Sequence, residues 1–482
     1  MATDRSKAPT TTAAEPPSAA SEGTTSAAAA PGAPAAAAPA APAPAAPDPT
    51  EVMRSRAYMV SLVFGALIGV PVSAAAFGFM ELISALQQAL YDHLPNGLGF
   101  NGAPVWWSIP LLVVGGVVVA AAIRWLPGTG GHIPALGFTP GMTQPIALPG
   151  VVVAAVATLA SGAVLGPEAP LIALGSGLAV LAVKVAKPGT PAMGVMVAGA
   201  AGSFAAIATL LGSPLLGAIF MLEAIGLGGV MMSAVLLPGL LAAGVGSLVF
   251  IGLGTWTGLG TFSLSIPDLP YVARPTAAEF GWAVLIGLVG ALVVLAIRRG
   301  GLWTMKLVNP RLFVAIPVVG LAVGGLAVAF AEATGKAPTS VLFSGQDLIG
   351  PLLDHAATWS AGALVLLLLF KGVAYSISLG SFRGGPIFPA LLLGAAGGVA
   401  ASHLPGLGLV PAAGMGMGAA CAAMLRLPVV SVALPTILLF HDGLAIAPVV
   451  IVAVVVAYVA TNWLDPKPAP AAPSAAATGA TA

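Results

Sequence analysis

The chain has 482 residues, of which 58% are hydrophobic and only 7% charged, and its mean hydropathy is +1.02. That composition excludes a soluble globular domain and predicts a polytopic membrane protein, each span needing about 20 apolar residues. The formal net charge is only +1 and the basic residues are spread over loops, so no stripe or cluster suited to nucleic acid is present.

Residues 1–50 are rich in Ala, Pro, Ser and Thr. They lack the large apolar residues a core needs and are expected to be a disordered tail. No compact Leu-rich stretch follows Arg5 and Lys7, so a cleaved secretory signal is not expected. Arg54 and Arg56 precede the first long apolar run, which favours a cytoplasmic N-terminus. Apolar runs then fall at about 57–90, 105–126, 146–163, 169–186, 192–226 and 230–254. A polar loop near Pro267–Pro275 separates these from a second set at about 277–297, 312–333, 361–381, 387–403, 409–425, 428–440 and 443–463. The expected organisation is a transmembrane domain over 51–468, with halves of about 57–265 and 275–465, followed by a short disordered tail over 469–482 and no appended regulatory domain. The single cysteine, Cys421, can form neither an intrachain disulfide nor a multi-cysteine metal site and reads as a packing residue. No metal or cofactor is expected.

The two halves carry matching punctuation. Gly166-Pro167-Glu168-Ala169-Pro170 with Gly175, and Gly385-Pro386-Ile387-Phe388-Pro389 with Gly394, both read GPxxPxxxxG. Pro170 and Pro389 lie 219 positions apart. Ser213-Pro214-Leu215-Leu216 follows the first copy by 44 positions, and Leu427-Pro428-Val429-Val430 follows the second by 39, counted between prolines. Proline is tolerated in the first helical turn, where its missing N–H is not needed. Each copy therefore predicts an unwound approach and a helix start. Paired interrupted segments in two halves point to a transporter built from repeats around a midplane site, with helix N-termini aimed at an anion.

Ionisable residues inside apolar segments are costly and are candidates for function. Glu168 stands in the first turn of its predicted helix, where a carboxylate interacts well with the dipole and competes with an anion for the same donors. Such a carboxylate can act as a gate that protonation releases. Lys371, Arg383, Arg426, His441 and Asp442 also lie in or beside apolar segments. Arg383 could raise an anion's local potential; the cations otherwise read as snorkelling or loop charges, and His441 with Asp442 as a polar turn.

With these segments in order, residues 54–468 resemble the CLC family of chloride channels and chloride/proton antiporters. The family's GSGIP, GxEGP and GxFxP segments correspond to Gly130-Gly131-His132-Ile133-Pro134, Gly166-Pro167-Glu168-Ala169-Pro170 and Gly385-Pro386-Ile387-Phe388-Pro389. A fourth segment matches Pro214-Leu215-Leu216-Gly217 with Glu223. The resemblance implies an all-α polytopic fold of two inverted repeats, whose interrupted helices meet at a midplane anion site. It further implies a homodimer with one pore per subunit in the plasma membrane, transporting chloride or a related small anion, with Glu168 as the gate.

The departures fall on the anion's own ligands. The family's serine is Gly131 here, and His132 could supply a replacement donor. Pro167 and Pro386 have no N–H to give, leaving the amides of Glu168, Ala169, Ile387 and Phe388. The family's C-terminal tyrosine would fall near Ala469, and Tyr458 is too early to replace it. Glu223 matches a structural glutamate, or a station on a proton path. The proton-relaying acid of the antiporters would be the next residue, which is Ala224. That substitution favours channel-like conduction, with proton-coupled antiport of chloride or fluoride as the alternative and a transport-dead scaffold behind both. An intramembrane enzyme is disfavoured because no HExxH, GxGD or Ser/His pair is present.

Overall fold

The computed structural model describes residues 53–137, 141–226, 229–258, 274–439 and 443–465. Both expected tails, the polar loop before Arg274, and His441 with Asp442 lie outside them. The described chain is helical without strands. The first half contains α1 (Arg56–Gln88), α2 (Ser108–Trp125), α3 (Leu148–Ser161), α4 (Glu168–Ala186), α5 (Ala192–Leu211), α6 (Pro214–Ile225) and α7 (Gly229–Thr257). The second contains α8 (Ala277–Val308), α9 (Leu312–Thr334), the short α10 (Gln346–Asp354), α11 (Ala361–Ser381), α12 (Ile387–Ala401), α13 (Leu409–Leu425), α14 (Pro428–Leu438) and α15 (Gly443–Leu464).

Eight candidate spans are long and apolar enough to cross a membrane among the described residues, fewer than the apolar runs in the sequence. The span Ala277–Thr334 takes in two runs, those of α8 and α9, and the remaining shortfall lies in apolar helices of 10–17 residues, α3, α12, α13 and α14, with α6 a fifth that shares a run with α5. A helix rises 1.5 Å per residue, so these reach only part of the way across about 30 Å of hydrocarbon. Their ends must therefore fall inside the protein.

The halves are built alike. α4 packs on α5 as α12 packs on α13; α1 on α7 as α8 on α15; α2 on α3 as α9 on α11. The halves also meet through their own equivalents, α2 against α9 and α6 against α14. Contact between equivalents is what a shared two-fold axis requires. The halves are inverted as well. Trp107, just before α2, donates its indole N–H to the Leu90 carbonyl near the end of α1, so α2 returns to the face where α1 begins. The segment after α2, Pro134–Leu136, packs on α8, with Ala135 against Gly301 in the last third of that helix. α8 thus ends on the face where α1 starts.

The distant glycine of each motif copy has a packing role. A Cβ on Gly175 would strike the Gly202 carbonyl oxygen of α5, and one on Gly394 would strike the Gly416 carbonyl oxygen of α13. Glycine lets both crossings close to backbone contact.

Candidate functional site

The two motif copies come together at the centre of the fold. Gly166 and Gly385 form an isolated antiparallel bridge, with Gly166 N–H donating to the Gly385 carbonyl at 2.7 Å and Gly385 N–H to the Gly166 carbonyl at 2.5 Å. The pairing fixes the starts of α4 and α12 beside one another. Prolines 167 and 386 precede the helices without donating, so the first free amides follow them.

Glu168 opens α4 and is fully buried. Its Oε1 accepts from the Phe388 N–H of α12 at 2.9 Å, while Oε2 is buried without a partner. The backbone N–H groups of Glu168 and Ile387 also lie close to the carboxylate. Glycine backbones flank it, since a Cβ on Gly166 or Gly385 would collide with Oε2. The carboxylate therefore occupies a small amide-lined place of the kind a bound anion fills. Of the four amides expected from the sequence, three converge on it; Ala169 instead borders the cavity described next.

Two cavities approach Glu168. The inner one, about 350 Å³, is lined by Gly130, Gly131, His132, Ala169, Arg383 and Gly384 among others. It opens beside the loop after α2, on the face where α1 begins. The outer one, about 130 Å³, is lined by Pro167, Leu165, Phe343, Ser344 and Asp347, and by Met80 to Gln87 near the end of α1. It therefore lies towards the opposite face. Glu168 stands between residues bordering the two.

The GSGIP-like segment lines the inner cavity through Gly131 and His132. His132 Nε2 is hydrogen-bonded to the Gly137 carbonyl of the same loop, so that nitrogen is spent locally. Glu223, at the end of α6, accepts from Val429 N–H at 2.9 Å and Val430 N–H at 2.7 Å. It satisfies the first turn of α14, which lacks a side-chain cap of its own.

Several contributors were not evident from the sequence. Tyr375, fully buried in α11, donates its hydroxyl to the Pro386 carbonyl at 2.6 Å and holds the approach to α12. Lys371 does not snorkel. It is fully buried, and Nζ donates to the carbonyls of Ser340, Val341, Leu342 and Phe343 at 2.8 to 3.3 Å, tying down the segment that walls the outer cavity. Arg426 is likewise largely buried, pairing with Asp465 at 2.6 Å, and Asp465 also takes Arg298 at 2.7 Å. A lysine or arginine in or beside an apolar helix looks the same in sequence whether it turns out or in.

Among the described residues, no group of three or more His, Cys, Asp or Glu could hold a metal. A family model described as "Voltage gated chloride channel" matches residues 115–462. YfeO of Salmonella choleraesuis (strain SC-B67), named as a candidate ion-transport protein, is 29% identical over 354 residues, which is 72% of this chain and 81% of that protein. YfeO of Salmonella typhimurium matches to the same extent. Among solved structures, a slow cyanobacterial Cl⁻/H⁺ antiporter overlays with a TM-score of 0.66 at 18% identity, covering 85% of this chain and 95% of that one. A CLC-type fluoride/proton antiporter overlays with a TM-score of 0.65 at 20% identity, covering 83% and 95%. At these identities the structural likeness speaks for the fold.

Proposed function

The chain belongs to the voltage gated chloride channel family, and from that premise we propose that it conducts chloride or a related small anion through a pathway gated by Glu168. CLC-type anion transport is the coarse function; the gate, the mode and the ion are this reading. The observation that carries it is the Glu168 carboxylate, held by an amide of the other half between cavities that lead to opposite faces. An anion arriving from either side must displace that carboxylate. Protonation would remove its charge, so flux should rise as pH falls.

Channel-like conduction is favoured because Ala224 follows Glu223 and because both Glu223 oxygens are engaged by α14. No second carboxylate is then free to pass a proton on from that position. Proton-coupled antiport is the second reading, favoured by the antiporters among the structural neighbours. The protein would work as a homodimer in the plasma membrane, one pathway per subunit. With the N-terminus cytoplasmic, as Arg54 and Arg56 favour, the inner cavity faces the cytoplasm.

The test is simultaneous recording of anion and proton movement from liposomes holding the purified chain, with chloride and fluoride as alternative anions. Chloride loss without opposing proton movement is expected. Proton uptake driven by an anion gradient would replace conduction with antiport. Absence of flux with every anion would sink the transport reading and leave a scaffold.

A further inference from the structure

The two halves are sealed differently where they begin. In the second half, the start of α8 is fastened to the connection between α12 and α13. Glu279 accepts from Gly408 N–H at 3.4 Å, and Trp282 donates its indole N–H to the Pro405 carbonyl at 3.3 Å. The equivalent junction of the first half lies between the start of α1 and residues 187–191, which connect α4 to α5. Among the described residues, no hydrogen bond from residues 55–61 reaches that connection. A groove of about 840 Å³ opens there instead.

The floor of the groove is apolar and made of small residues, Gly65 on α1, Ala198 and Ala201 on α5, Ala234 and Pro238 on α7. Gly65 meets the Pro238 backbone and Gly69 that of Ala242, so α7 runs parallel to α1 and both start on one face. The Tyr58 hydroxyl donates to the Ser233 carbonyl at 3.1 Å and closes that wall. Along α1 the groove runs from Arg56 to Gly65, a length of roughly 14 Å at 1.5 Å per residue. That is the depth of one leaflet of a hydrocarbon core about 30 Å thick. Val60 and Met193, on its sides, are 54% and 51% exposed, so the slot is open towards the bilayer.

The mouth of the groove is cationic. Arg56 and Lys187 line it beside Ser55, and no lining residue is acidic. Neither cation has a carboxylate partner among the described residues. Ser55 Oγ accepts from Tyr58 N–H at 3.1 Å, which leaves its own proton for an outside acceptor. Two free cations above an apolar slot one leaflet deep are the complement of a molecule with an anionic head and a hydrocarbon chain. Basic pockets between membrane helices recognise lipid headgroups in this way.

We propose that this groove holds one anionic glycerophospholipid per subunit, with its phosphate between Arg56 and Lys187 and one acyl chain lying against α5 and α7. A zwitterionic lipid carries an ammonium beside its phosphate and gains less from the same two cations. The bound lipid does for the first half what Glu279 and Trp282 do for the second. It ties the opening helix of the half to the connection that follows α4, the helix Glu168 begins. The inference needs the membrane fold alone and is independent of the ion carried and of the mode of transport.

The test takes the purified full chain from bilayers of phosphatidylglycerol and phosphatidylcholine with matched acyl chains and counts the lipids it retains by native mass spectrometry. One phosphatidylglycerol per subunit is expected, preferred about tenfold or more over phosphatidylcholine. Arg56→Gln combined with Lys187→Gln should bring that preference within about twofold, whereas Arg311→Gln, a cation outside the groove, should leave it unchanged. Both groove substitutions are at exposed positions, so folding should survive them, and an unaltered unfolding midpoint checks that it does. A preference that persisted in the double variant, or no retained lipid, would overturn the site. Equal displacement of phosphatidylglycerol by inorganic phosphate would also overturn it, leaving a headgroup anion without its lipid. Cross-linking of Met193→Cys between two copies, or lipid retention only after removal of residues 1–50, would hand the groove to a second copy or to the tail.

Discussion

Glu168 and Glu223 pose the same physical problem and reach different ends. Both lie in the first half, and both reach across to the first amides of a helix in the second, Glu168 to α12 and Glu223 to α14. Glu223 is saturated, one amide on each oxygen. Glu168 gives one oxygen to Phe388 and leaves the other buried and bare. A charge-assisted hydrogen bond on each oxygen makes a clamp, whereas an unsatisfied buried oxygen has a reason to leave. Glu223 is built to stay and Glu168 to move.

The sharpest way to break the comparison is to make one substitution at both places. Glu168→Gln keeps an acceptor for Phe388 but removes the charge. Liposome flux at neutral pH is expected to rise about tenfold, equivalent to about 1.4 kcal/mol, and to lose its dependence on pH. Unfolding stability should change by less than about 1 kcal/mol. Glu223→Gln should do the opposite, since an amide NH2 would face one of two N–H donors. A loss of about 2 kcal/mol in detergent unfolding is expected, with the pH profile of flux unaltered in shape. Equal behaviour of the two variants would erase the distinction.

The glycines test the same contrast by crowding. A Cβ at Gly385 would occupy the position of Glu168 Oε2, so Gly385→Ala should expel the carboxylate and leave flux high and flat with pH, resembling Glu168→Gln. A low flux that remained steep in pH would show that the carboxylate finds room. Gly175→Ala and Gly394→Ala push apart equivalent helix crossings remote from the carboxylate. Each should cost about 1–3 kcal/mol of stability by overpacking, in similar measure if the halves are mechanically equivalent.

How much of this was legible in the sequence follows from range. Helix starts and their pairing are local facts, written in GPxxP and in the matching Ser-Pro and Leu-Pro segments, and the fold followed from them. Glu168 stood out because a carboxylate in a proline-flanked apolar helix start has few other reasons to be there. The reach of Glu223 to α14 was hidden because its partners lie 206 and 207 residues away. Lys371 and Arg383 were misleading for a different reason. Their burial depends on carbonyls and cavities made by other segments, and one-dimensional reading assigns such cations to the surface. Tyr375 was not legible because a lone hydroxyl in the middle of an apolar helix gives no sign of the carbonyl it reaches.

The smallest expected effect lies at the rim of the outer cavity. Asp347 belongs to α10, outside the spanning helices, and the crowding of neighbouring walls raises its carboxyl above the ordinary aspartate range, although its side chain retains contact with solvent. An acid whose folded-state value is raised weakens the folded state when it ionises. Any stability it withholds is therefore absent at low pH and grows as pH rises from the ordinary aspartate range through the raised value. In its ionised form it also repels anions approaching Pro167, an effect screened by salt over about 8–10 Å. Asp347→Asn should raise anion entry from the outer side by about twofold in low salt at neutral pH, and by less in high salt or at acid pH, where the wild-type carboxyl is already neutral. Entry from the inner side, through the cavity that Arg383 lines, should not change. If both directions responded alike, Asp347 would be acting through Glu168, and the separation of a mobile acid from its fixed surroundings would have to be redrawn.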